Sequence, residues 1–319
     1  MRAIFFDCPS FLADLYDDEL RAIVPDLAMT IDDVPGDDVA AYVGDAVGVI
    51  NDHTYLSEEI LAACRALKVI VFMGTGASSY IDVAAAERLG IEVGTIKGYG
   101  DRTVAEHALA LMFDCGRQTA RMDRALRKGS WHTLDGVEFA GKTLGVVGTG
   151  GVGREMVRLG TGIGMNVIAW NRSGVPAGLA CTPAECLDAL LAESHVVSLH
   201  LGLNDETRGM IDARRLALMR PDAMLINTAR GAVIDEAALV ETMQAGRIRA
   251  AGLDVFADEP IDGGHPLAAL ENVTLTPHAA FMTAEASYRL LRMALELMRD
   301  ALEDLGLPAP DEPVEGSGA

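Results

Sequence analysis

No apolar run in this sequence approaches the roughly 20 residues that a bilayer span requires, so no membrane partner is expected. Basic residues are scarce. Lysine and arginine number 26 against 47 aspartates and glutamates, a formal charge of −21, with a sequence pI near 4.6. A surface that acidic repels phosphate backbones, and a nucleic-acid partner is not expected. Cysteine is sparse and unpatterned: Cys8, Cys64, Cys115, Cys181 and Cys186 form neither a CxxC pair nor an even framework, and they read as reduced thiols. No His/Cys/Asp cluster has zinc-like spacing, so no metal is expected. The opening MRAIFFDCPSFLADLYDDEL has only a short apolar patch before acidic residues. It does not read as a secretion signal, and a cytoplasmic location is expected.

What is present points to two domains. Half of the 319 residues are hydrophobic, enough for sizeable cores. Helix-like and strand-like segments alternate, which favours α/β. Strand-like runs MRAIFF, AVGVI, LKVIVFM and IEVGTI lie in the first hundred residues. A single long helix is expected from Thr103 to about Arg127, opened by a Thr103/Glu106 capping box. A second α/β series then follows, with strands expected near 143–148, 167–170, 195–201, 223–228, 249–255 and 273–276. A last helix, about 284–305, is expected to pack back on the first domain. The expected division is therefore 1–100 with 284–305 for one domain and 101–283 for the other. The tail 306–319, rich in Pro, Gly and acid, is expected to be disordered.

Gly148, Gly150 and Gly153 form G-x-G-x-x-G between a β-branched strand and the amphipathic REMVRLGTGIG. In such a turn the first glycine permits the bend, the second lets backbone approach a pyrophosphate, and the third lets helix and strand pack closely. The helix N-terminus then faces the diphosphate. The next strand ends in VIAWNRSG, 18 residues beyond Gly153. An NAD site normally places a carboxylate here for the adenosine ribose, and that carboxylate would repel a 2′-phosphate. Asn171 removes the repulsion, Arg172 can pair with phosphate, and Ser173 offers a hydroxyl and an N–H. The expected cofactor is NADP(H), with NAD(H) as an alternative.

Three further loops follow strand-like runs: INTARG, GLDVFADEP and LTPHAAFMT. In an open parallel sheet such loops converge on the ligand crevice. They carry Arg230, Glu259 and His278. Reduction of a 2-oxo acid needs a cation for the carboxylate, a proton donor for the ketone oxygen, and a partner that keeps the donor protonated. Arginine supplies a planar two-point clamp, and histidine beside a carboxylate supplies the proton. Taken singly, each has an ordinary reading as surface charge or turn residue. Six other histidines compete with His278.

Taken in order, TVAEHALALM, the glycine loop, NTARGAVIDEAAL, GLDVFADEP and TPHAAFMT resemble the D-isomer-specific 2-hydroxyacid dehydrogenases, over about Leu61 to Arg299. The family's relatives include glyoxylate/hydroxypyruvate reductases, D-lactate dehydrogenases and phosphoglycerate dehydrogenase. The resemblance implies an α/β protein with a doubly wound parallel-sheet Rossmann domain and a smaller, discontinuous, flavodoxin-like substrate domain. It implies a catalytic trio in which Arg230 binds substrate, His278 is the acid/base and Glu259 supports it. It also implies that Gly151 and Val152 lie against the diphosphate, that Thr228 and Arg230 line the nicotinamide side, and that Asp254 holds the carboxamide. Thr103, His200, Leu201 and Ala229 complete the implied cofactor set. Gly74, Thr75 and Gly76 match the loop whose N–H groups meet the substrate carboxylate. The implied partner is a small 2-oxo or 2-hydroxy acid, and the implied assembly is a homodimer.

Three departures stand out. GTGASSYID is one residue longer than the common form, Gly202 stands where proline is usual, and KGYGDRT lacks the usual Pro and Asn pattern. The AAFMT after His278 resembles the D-lactate dehydrogenase branch, whereas NRS resembles NADP-using reductases. The expected reaction is reduction of a 2-oxo acid to a D-2-hydroxy acid with NADPH. Two other readings stay open: a formate- or phosphite-type dehydrogenase on the same scaffold, and a non-enzymatic dinucleotide-sensing binding protein.

Overall fold

The computed structural model describes residues 2–31, 34–35 and 38–307. The expectation of a disordered tail therefore falls almost wholly outside the described residues. The chain divides into two compact units, one of Met1–Tyr99 with Thr283–Ala319 and the other of Gly100–Met282.

Among the described residues the first unit carries five strands: β1 (Ala3–Cys8), β2 (Leu27–Ile31), β3 (Gly48–Asn51), β4 (Val69–Phe72) and β5 (Glu92–Thr95). All pair in parallel in the order β2-β1-β3-β4-β5. This is the flavodoxin-like doubly wound order. Side chains alternate across the sheet, apart from an irregularity between Phe5 and Cys8. Ala3 and Phe5 face one buried layer with Val69 and Val71, while Ile4 and Phe6 face the other with Val49 and Ile70. The first layer is closed by the helix Ala284–Asp304 through Leu290, Leu291, Ala294, Leu295, Met298 and Leu302. Those positions recur at helical spacing, so this helix, the last among the described residues, completes the core of the first unit. Its start is fixed by Thr283, whose hydroxyl accepts the Ala286 N–H at 3.2 Å.

The second unit carries β6 (Thr143–Val147), β7 (Asn166–Trp170), β8 (Thr182–Pro183), β9 (Val196–Leu199), β10 (Met224–Asn227), β11 (Ala250–Leu253) and β12 (Val273–Leu275). These form one parallel sheet in the order β12-β11-β10-β9-β6-β7-β8. Chain direction across the sheet reverses between β6 and β9, and ligands of doubly wound sheets bind outside the strand ends at that point. The sheet is buried on both faces. Leu144, Val146 and Ile226 meet Ala105, Ala108, Met112 and Met156 from two helices, while Val147, Val197, Leu199 and Leu225 meet the other layer. No helix among the described residues is long and apolar enough to cross a membrane.

One expected helix is two. A helix runs Asp101–Arg117, Gln118 takes a left-handed conformation (φ 55°), and a second helix runs Thr119–Arg127. Asp114 causes the break: its carboxylate accepts the Ala120 N–H at 2.7 Å and the Thr119 hydroxyl, capping the second helix, and is held by the Thr274 hydroxyl at 2.6 Å. The Thr103/Glu106 capping box is also corrected. Gly100 precedes the helix with no side-chain cap, and Thr103 is buried inside the first turn. The helix starts two residues earlier, with Asp101 in its first turn.

Candidate active site

The turn after β6 is locked by its neighbours. The Gly148 N–H donates to the Trp170 carbonyl at 2.8 Å and the His200 N–H to the Val147 carbonyl at 2.8 Å. Gly148 has φ +94°, and a Cβ there would lie 2.2 Å from the His200 carbonyl oxygen. At Gly153 a Cβ would lie 2.0 Å from the Gly148 carbonyl oxygen. Both positions therefore need glycine for the protein's own packing. Gly150 differs, because a Cβ there would meet nothing within 4 Å. Its open space lies at the start of the helix Gly151–Gly162, whose first N–H groups have no side-chain cap. Beside it, the buried Thr149 hydroxyl has no hydrogen-bond partner among the described residues. Together these features leave room, donors and helix dipole for a phosphate. Val152 follows, half-buried. Against Gly151 lies the carboxylate of Asp101, which burial pushes above the usual aspartate range, with the charge of Glu155 adding to the effect.

Beyond β7, Asn171 organises the NRS turn. Its amide donates to the Ser173 hydroxyl at 2.9 Å and the Gly174 carbonyl at 3.1 Å, and its oxygen accepts the Thr149 N–H at 3.4 Å. Arg172 is ion-paired with Glu206. After β9, His200 is bonded to the Ser198 hydroxyl at 2.9 Å, and burial lowers its pKa to about 4, so it is neutral at physiological pH. Leu201 follows, half-buried against the apolar layer that holds Val147 and Leu199.

At the ends of β10, β11 and β12 the three expected loops meet. Asn227, fully buried, donates to the Arg230 carbonyl at 3.0 Å and accepts the Ala229 N–H at 3.0 Å. The buried hydroxyl of Thr228, on this loop, has no partner among the described residues. Next to it, the chain at Gly231 passes so close to Phe256 that a Cβ would lie 1.9 Å from the Phe256 carbonyl carbon. Glu259 then bridges outward. One oxygen accepts the Phe256 N–H at 2.8 Å and the other meets His278 Nδ1 at 2.7 Å. Burial pushes this carboxyl up, but the His278 hydrogen bond, the Phe256 N–H and the positive charge of Arg230 outweigh it and hold it below the usual glutamate range. An ionised Glu259 accepts a proton-bearing Nδ1, which leaves Nε2 as the exchangeable nitrogen of His278.

His278 has φ 52°, unusual for a non-glycine residue and often a mark of function. Asp254 holds it there. The Asp254 carbonyl accepts the His278 N–H at 2.8 Å, and its fully buried carboxylate accepts the Thr276 hydroxyl at 2.6 Å and the Ala279 and Ala280 N–H groups, each at 2.9 Å. Sequence reasoning assigned Asp254 to the cofactor and did not foresee this buttress. It also missed Asn227, Asp101 and Glu206. An acid or amide at the last residue of a strand was the available signal for Asn227. Gly74, Thr75 and Gly76 lie in the other unit, at the end of β4, where the Ile96 N–H donates to the Gly74 carbonyl at 2.9 Å.

A parallel sheet of this order, turning at β6 beside an open helix N-terminus, is the Rossmann architecture, which binds dinucleotides at that turn. The family follows from relatedness. The family model described as D-isomer specific 2-hydroxyacid dehydrogenase, NAD binding domain, matches residues 109–280. A glyoxylate reductase of Aeropyrum pernix is 39% identical over 249 residues, covering 75% of this chain and 74% of its own. A hydroxypyruvate reductase of Thermotoga maritima is 37% identical over 263 residues, covering 81% and 84%. The structure of an acyclic imino acid reductase in complex with NADPH and D-Arg superposes with a TM-score of 0.80 at 28% identity, covering 97% and 98%. The chain belongs to the D-isomer-specific 2-hydroxyacid dehydrogenase family, and its activity is that of a 2-hydroxyacid dehydrogenase or reductase.

Proposed function

We propose that this enzyme reduces a small 2-oxo acid to the D-2-hydroxy acid and prefers NADPH to NADH. The observation that carries the reading is the contact of His278 with the ionised Glu259, under the charge of Arg230. When bound, the dinucleotide supplies the hydride. The protein supplies the rest. Arg230 clamps the substrate carboxylate through its guanidinium. His278 gives the proton on Nε2 to the carbonyl oxygen, and Glu259 fixes the ring through Nδ1. Asp254 positions His278 by holding its loop.

The residues around β6 and β7 fit the dinucleotide. Gly150, Gly151 and Val152 would hold the diphosphate with backbone N–H groups, and Asn171, Arg172 and Ser173 would hold the adenosine ribose and its 2′-phosphate. Thr228 and Ala229 would meet the nicotinamide end. Support for NADPH comes from the missing carboxylate at the end of β7, and from the NADPH in the related imino acid reductase. Glyoxylate and hydroxypyruvate are the substrates suggested by the relatives' names. The reading also takes the enzyme as a cytoplasmic homodimer. Its test is a steady-state matrix of glyoxylate, hydroxypyruvate, pyruvate and phenylpyruvate, each with NADPH and NADH. The expected result is turnover of at least one acid with higher kcat/KM for NADPH. Failure of all four with both cofactors would contradict it.

A further inference from the structure

Arg172 does not stand alone at the end of β7. Its guanidinium is ion-paired with Glu206, which comes from the loop after β9. In the sheet, β7 and β9 flank β6 on opposite sides, so the pair spans the glycine turn. Both side chains are mostly exposed, at 71% and 62%, and a ligand can reach them.

The turn carrying Glu206 is fixed. Asn204 Oδ1 accepts the Glu206 N–H at 2.9 Å and the Thr207 N–H at 3.0 Å, and the Thr207 hydroxyl donates to the Gly202 carbonyl at 2.7 Å. Opposite it, the Asn171 bonds to Ser173 and Gly174 fix the turn carrying Arg172. A carboxylate therefore faces the cation expected to meet the ribose phosphate. The acid absent from the end of β7 is supplied from the other side.

The two cofactors meet this arrangement differently. A 2′-phosphate that reaches Arg172 must displace Glu206 and is repelled by it. A free ribose diol has no such charge, and a carboxylate accepts its hydroxyl hydrogens. We propose that Glu206 is a cofactor-specificity residue, competing with the 2′-phosphate for Arg172 and so narrowing the discrimination between NADPH and NADH. The proposal rests on the reading that Arg172 binds that phosphate.

The test is calorimetric binding of 2′,5′-ADP and 5′-AMP to the full-length protein, comparing wild type with Glu206→Gln and Arg172→Ala. Glu206→Gln is expected to bind 2′,5′-ADP about fivefold more tightly without tightening 5′-AMP, and the gain is expected to shrink as salt rises. Arg172→Ala is expected to bring 2′,5′-ADP down toward 5′-AMP. Glu206→Gln binding of 2′,5′-ADP that is unchanged or weaker, with the Arg172 effect intact, would overturn the Glu206 role alone. If wild type and Arg172→Ala both bind 2′,5′-ADP no better than 5′-AMP, the NADPH reading falls and takes the competition with it.

Discussion

His278 Nδ1 lies 2.7 Å from Glu259 Oε2, and the other oxygen of that carboxylate is anchored on the Phe256 N–H. The pair makes the charge of Glu259 testable apart from its shape. Glu259→Gln keeps the size and loses the charge, and kcat is expected to fall about 100-fold while NADPH binding stays within twofold. The pH sign follows from a folded pKa held below the ordinary glutamate value. The stabilisation from an ionised Glu259 is present above that ordinary value and is lost as pH falls through the folded one. Glu259→Gln should therefore flatten the acid end of the stability profile, measured by urea midpoints. A retained slope would remove Glu259 from that role.

Asn227 sets the Arg230 loop from a fully buried position. Asn227→Ala removes both bonds and leaves the Ala229 N–H and Arg230 carbonyl without them. Stability is expected to drop by roughly 1–3 kcal/mol, and KM for the 2-oxo acid is expected to rise more than the NADPH dissociation constant. An unchanged acid KM would detach Asn227 from substrate positioning.

Asp101 places a carboxylate against Gly151, where the diphosphate is expected. Its pKa is raised, so it takes up a proton above the usual aspartate range, and ADP affinity should grow as pH falls through that titration. Asp101→Asn is expected to bind ADP several-fold more tightly, by about 1 kcal/mol, and to lose most of this pH dependence. Calorimetry at a series of pH values from the ordinary aspartate range up to neutral checks it; weaker ADP binding by the variant would mean that Asp101 assists the ligand.

His200 is neutral in the fold down to about pH 4, whereas an unfolded histidine protonates near 6.5. Between those values the unfolded state binds the extra proton, so stability rises with pH, by roughly 3 kcal/mol at most over the window. His200→Gln should lose that slope in urea melts at pH 5 and 7.5. An equal slope in both proteins would place the linkage elsewhere.

Short apolar runs made most strands legible, because parallel strands such as Met224–Asn227 and Val196–Leu199 are buried on both faces. Two edge strands were not: Leu27–Ile31 is only partly buried and Thr182–Pro183 is two residues long, whereas the edges Glu92–Thr95 and Val273–Leu275 fall in the expected runs. Local pattern also misled at Thr103, where T-x-x-E matched a cap but burial put the threonine inside the helix. The break at Gln118 depends on Asp114 and a hydrogen bond from Thr274, 160 residues away. In the site, Arg230, Glu259 and His278 could be picked from strand-end loops. Their supports, Asn227 and Asp254, act through backbone contacts that no spacing reveals. The Arg172–Glu206 pair joins residues from two different strand ends, and only the sheet order brings those ends together.

Proton delivery by His278 can be read from kcat of His278→Ala with saturating NADPH and the best 2-oxo acid, with the NADPH dissociation constant measured alongside by fluorescence. A kcat at least about 100-fold below wild type is expected, with NADPH binding unchanged. Normal turnover by His278→Ala would contradict it.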